Sequence, residues 1–289
     1  MEERTLDTDD GGRLALYSYG TADAPAGRRV LVIGGAFLTA LIYRPFSMAL
    51  AARLGEGWAV DVYDRRGRGG SSEQPADYSM DTEISDVRAV LGITGGRHVF
   101  GHSLGGSVAL NAAKEFTGTA FEMDRLAVYD AAVNIDGSVD MSWLAGFAES
   151  VDGGDFPRAM ARLKRGMSPG TALARIPEPV LAGLLAVVSR TRANKLLREL
   201  MPSGVGELKA AMEERRHAAD FASLPEGTCF LVGAKSPEYY KVTAERLHAA
   251  VPGSSLRVSP KGVHGSVPAA FKELVADIAG YFSETSNAA

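Results

Sequence analysis

The chain has 289 residues, 46% of them hydrophobic and 23% charged, with a formal net charge of −4. That balance suits a soluble globular protein with a large core and leaves no basic footprint for nucleic acid. A single cysteine excludes an internal disulfide framework, and no Cys–His cluster has zinc-ligand spacing, so neither a metal nor a cofactor is expected.

The opening MEERTLDTDDGG is polar and acidic and does not read as a signal peptide. The longest apolar run, VLAGLLAVV from Val180, is too short to span a bilayer. A cytoplasmic protein with no membrane partner is the expectation, and the oligomeric state is left unassigned.

LALYSYG from Leu14 reads as an edge strand, and RRVLVIGG, ending at Gly35, as a buried one. A helical stretch, YRPFSMALAARL, leads to the strand WAVDVYD and the turn RRGRGGSS. A helix begins at about Asp81, with Ile84, Val87, Val90 and Leu91 on one face. Next come the strand RHVF, the turn GHSLG, an alanine-rich helix, and the strand RLAVYD ending at Asp130.

Short buried strands alternating with helices predict an α/β fold with a doubly wound, mostly parallel sheet. Ligands then bind beyond the carboxyl ends of the strands, which singles out Gly35, Asp64, Gly101 and Asp130 as neighbours of a site.

From 133 to 223 strand-like runs give way to helical stretches broken at VDGGDFP, MSPGT, IPEP and MPSGVG. Alternation then resumes with TCFLVG, PEYYKVTAERLHAAV, SLRVSP, the loop KGVHGS and a helix from about Pro268. The tail SETSNAA is expected to fray. Residues 1–132 and 224–289 therefore read as one core, and 133–223 as a helical cap inserted into it. Phe37, with Trp143 and Phe147 of the cap, is expected to line an apolar substrate pocket.

Gly101-His102-Ser103-Leu104-Gly105 fits G-x-S-x-G between a strand and a helix. An abrupt strand-to-helix turn strains the serine and raises its hydroxyl above the sheet, while side chains on either flank would clash. The helix start also leaves amides free to hold a developing oxyanion.

Such a serine needs a base. Of the five histidines, His102 adjoins the serine and points elsewhere by alternation, and His98 begins a strand. His217 lies in the cap and His248 rides a helix, whereas His264 occupies a glycine-bracketed loop past the last strand. His264 is thus the predicted base for Ser103.

Taken together, GHSLGG, YDRRGRGGS, GAKSP and His264 resemble the α/β-hydrolase superfamily, most of all capped serine hydrolases with a YDRRGRG turn. The resemblance implies a cofactor-independent serine hydrolase acting on an ester, thioester or lactone of a small apolar molecule. Carbon–carbon bond hydrolysis and a non-catalytic binding protein of the same fold are the alternatives.

It also implies an oxyanion hole from the amides of Leu104 and Ala36 (or Phe37), although Gly34-Gly35 replaces the usual His-Gly. At the usual acid position GAKSP carries Ser236. Glu238 comes two residues later but begins a helix. Asp130, where relatives with this turn show YEPP, is the favoured acid.

Overall fold

The computed structural model describes residues 1–188, 192–213 and 215–284. Its eight strands form one sheet in the order β1-β2-β4-β3-β5-β6-β7-β8. These strands are β1 (Glu2–Asp7), β2 (Arg13–Gly20), β3 (Arg29–Ile33), β4 (Ala59–Tyr63), β5 (His98–His102), β6 (Arg125–Tyr129), β7 (Cys229–Gly233) and β8 (Ser255–Ser259). The pairings of β1 with β2 and of β2 with β4 are antiparallel; the remaining pairs are parallel.

The inner parallel strands are buried on both faces, as their unbroken apolar runs require. Val30 and Val32 of β3 face one core layer, with α1 (Arg44–Leu54) and α9 (Lys272–Ser283). Leu31 and Ile33 face the other, with α2 (Met80–Thr94), α3 (Leu104–Phe116) and α8 (Glu238–Ala250). Between β6 and β7 lie α4 (Leu144–Asp152), α5 (Phe156–Gly166), α6 (Glu178–Val188) and α7 (Arg192–Leu208). The two ends of this helical segment meet where Ile135 bridges to Arg216 and Asp136 pairs with His217.

Three expectations need correction. Arg13–Gly20 is an inner strand, because the polar start of the chain itself forms the edge strand β1, with Leu6 as its one buried residue. The last helix starts at Lys272, since Ala270 turns back at φ 52° just before it. Met201–Gly206 does not break the chain, as α7 runs through Pro202. Tertiary packing outweighs the lost backbone hydrogen bond there, with Met201 and Glu207 fully buried. The expected frayed tail lies, from 285 onward, outside the described residues.

Strand register brings two distant segments together. His102 of β5 pairs with Tyr129 of β6, so Ser103 and Asp130 leave adjacent strands side by side at their carboxyl ends.

Candidate active site

Ser103 takes φ 56° and ψ −123° between β5 and α3, a conformation few non-glycine residues adopt. The glycines beside it are there for space. A Cβ on Gly105 would stand 2.1 Å from the Ile33 carbonyl oxygen, and one on Gly101 2.6 Å from Cα of Gly106. Two further non-glycine residues with positive φ, Phe37 (60°) and Asp130 (46°), flank the same edge, so backbone strain collects around this serine.

His264 opens a short 3-10 turn after β8. Its Nδ1 lies 3.1 Å from Asp130 Oδ2 and its Nε2 3.1 Å from Ser103 Oγ. A carboxylate can only accept, so in the neutral ring Nδ1 carries the proton and Nε2 accepts from the serine hydroxyl. Asp130 is fully buried. It also accepts from the Gly233 amide at 3.0 Å and from the Ser236 hydroxyl at 2.6 Å. The Ser236 hydroxyl, which follows β7, thus supports a carboxylate at the end of the neighbouring strand β6. Glu238 is exposed at the start of α8, away from this cluster.

His102 points off the serine's line, as alternation requires, yet it is part of the site. Its Nε2 donates to the His264 carbonyl (3.0 Å), which fixes Nδ1 as the acceptor of the Tyr43 hydroxyl (2.7 Å). Tyr43 in turn accepts from the Gly35 amide at 2.7 Å. Burial, then the nearby His264, holds the His102 pKa well below the ordinary histidine range, so this ring stays neutral. Sequence reasoning missed this relay and also Tyr240, which stacks on His264 from α8.

A second brace comes from the turn after β4. Arg68 donates to the Gly35 and Leu38 carbonyls at 3.3 and 3.0 Å. It pairs with buried Glu207 of α7, which also contacts Arg65, and Arg65 reaches Glu83 at 2.9 Å. Gly204 lets α7 come this close, because a Cβ there would strike the Phe37 ring.

Ser103 opens into a cavity of about 390 Å³. Ala36, Phe37, Leu38 and Leu104 line it from the core, and Leu163, Met167, Leu208 and Met212 from the helical segment. The amides of Ala36 and Leu104 have no hydrogen-bond acceptor among the described residues.

Phe37 lies where the sequence put it, but Trp143 and Phe147 do not reach the cavity. Phe147 is buried behind Phe37, edge-to-face with ring centroids 6.3 Å apart, and Trp143 lines a separate hollow with Arg162 and Arg165. Aromatic content marked α4 as apolar without telling which helix faces the serine; α5 and α7 do. Among the described residues no group of His, Cys, Asp and Glu could hold a metal ion. Nor is any of their helices long and apolar enough to cross a membrane.

Solved structures resemble this one along nearly its whole length. An alpha/beta hydrolase from Sphaerobacter thermophilus DSM 20745 is 25% identical with a TM-score of 0.73, over 96% of this chain and 100% of that one. The enol-lactonase from Burkholderia xenovorans LB400 is 15% identical at TM-score 0.73, covering 97% and 100%. A thermophilic esterase from Thermogutta terrifontis is 19% identical at 0.70, covering 97% and 98%. The latter two share the fold. Residues 30–277 match the model of the Alpha/beta hydrolase family, and with that match the chain belongs to this family and is a hydrolase.

Proposed function

We propose that the protein is a serine hydrolase that cleaves an ester, thioester or lactone of a small apolar molecule through an acyl-enzyme. Ser103 is the nucleophile, His264 the base and Asp130 the acid. The observation that carries this reading is the unbroken line of hydrogen bonds from Asp130 through His264 to Ser103.

In the forward half-reaction Ser103 Oγ bonds to the substrate carbonyl carbon and its proton passes to His264 Nε2. Asp130 stabilises the imidazolium, and the amides of Ala36 and Leu104 hold the oxyanion. The carbon–leaving group bond then breaks, with the leaving group taking the proton from Nε2. Water repeats the sequence on the acyl-enzyme and releases the acid. Residues 133–223 act as a cap whose α5 and α7 side chains select the substrate, and the apolar lining supports a substrate with an apolar acyl or alcohol portion.

Ser103→Ala tests the assignment. Turnover of short-chain aryl esters should drop by roughly 10⁴-fold or more with the fold intact, and labelling by a fluorophosphonate should vanish. A variant that still labels fully places the nucleophile elsewhere. His264→Ala should lose a similar factor.

A further inference from the structure

The first turn of α8 sets Tyr240 against His264. The two rings are 10° from parallel with centroids 4.6 Å apart, and the tyrosine oxygen is 3.3 Å from Nε2. Rings so close and so nearly parallel are stacked, so that oxygen meets Nε2 from above the imidazole plane. The in-plane lone pair of Nε2 is left to Ser103 Oγ, 3.1 Å away. Tyr240 is 1% exposed, and burial raises its phenol above the ordinary range, so it remains a neutral, electron-rich ring at neutral pH.

We infer that Tyr240 is a positioning residue for catalysis: stacked on His264, it stabilises the imidazolium that forms as Ser103 gives up its proton. The inference rests on the proposed triad. A tyrosine presents the negative face of its π system and an oxygen lone pair to whatever lies over it. Neutral imidazole gains little from this and imidazolium gains much more. The contact therefore favours the transition state over the resting enzyme.

Other groups around the ring do not substitute for it. Asp130 holds the opposite edge at Nδ1, while His102, with its ring centroid 4.9 Å from that of His264, is kept neutral by burial. Tyr129 bonds to the Val263 carbonyl. Lys164 lines the same cavity from α5.

The test replaces Tyr240 with phenylalanine, with a series of progressively fluorinated phenylalanines, and with leucine. Aryl-ester hydrolysis and fluorophosphonate labelling are measured from pH 5 to 9. The acidic limb of kcat/KM, which reports His264 in the free enzyme, should move down by about 0.5–1 pH unit from the most electron-rich ring to the least. Plateau rates should fall about three- to tenfold in the same order, with unchanged Tm along the nearly isosteric aromatic series. An acidic limb that stays fixed while the ring is fluorinated overturns the inference and leaves Tyr240 a packing residue. Labelling of Ser103→Ala would overturn the triad instead, so the two failures are distinct.

Discussion

Replacing Asp130 with asparagine changes one oxygen into an NH₂ group, and the structure shows what that does. The carboxylate accepts three hydrogen bonds, from His264 Nδ1, the Ser236 hydroxyl and the Gly233 amide. An asparagine can keep Oδ1 on the Gly233 amide, but its NH₂ then faces His264 Nδ1. The imidazole must turn its proton to Nε2, toward Ser103, where it can no longer accept one. The lost charge adds to this. One unit charge opposite another at the 3.1 Å contact, with an effective dielectric of about 20, amounts to about 5 kcal/mol, or roughly 10⁴-fold in rate. We expect kcat on a short-chain aryl ester to fall by about that factor, with little change in KM and native circular dichroism. Glu238→Gln, made in parallel, should stay within about twofold of the parent, because Glu238 is exposed and outside the cluster. An Asp130→Asn enzyme within tenfold of the parent, or a crippled Glu238→Gln, would refute the reasoning.

Three further outcomes are expected. Shortening Leu208 or Met212 to alanine should move relative kcat/KM toward longer acyl chains by about 1–3 kcal/mol, whereas Trp143→Ala should not, a contrast read from a graded ester series. Burial lowers the pKa of both His102 and His98, so below about pH 6.5 the unfolded chain takes up protons that the native state refuses. Stability should then fall by up to about 1.4 kcal/mol per pH unit through His102 as the pH drops, with less from the more weakly shifted His98, and His102→Gln should remove most of that slope, measured as urea midpoints from pH 7.5 to 5. Glu207→Gln leaves Arg65 and Arg68 buried without their shared carboxylate and should cost about 3–5 kcal/mol in the same assay; a cost under 1 kcal/mol would show the pairs to be idle.

What could be read in the sequence was whatever leaves a local mark. Gly101 is required by sterics against the turn that follows it, Asp130 sits where one strand ends and His264 in the loop after another, so strand assignments alone placed Ser103, Asp130 and His264 on one edge. What failed depends on distant partners. Gly204 looks like a breaker until Phe37 is seen packed against it, with Ser203 beside it meeting Gly67 of the arginine turn. Phe147 and Trp143 are apolar enough for a pocket, but pattern cannot tell a side chain in the lining from one behind it. Tyr240 comes from a helix 24 residues before His264, and nothing in PEYYKVTAERL distinguishes a ring that will stack on an imidazole from one that fills the core. Strand β1 carried too few apolar residues to show its period.

The ion pairs between Glu207 and the arginines of the turn also couple one wall of the cavity to the loop beside the serine. Lifting α7 away from the sheet would separate a buried carboxylate from two buried guanidinium groups and pull Gly204 off Phe37. On the opposite wall, Leu163 and Met167 line the cavity from α5 and the residue after it, and the ion pairs of α5, from Arg158 and Arg162, run to Glu178 of α6. Helix α7 and the loop at Gly35 are instead clamped by one guanidinium group: Arg68 holds Glu207 of α7 on one side and the Gly35 carbonyl on the other, so neither wall can shift without the other.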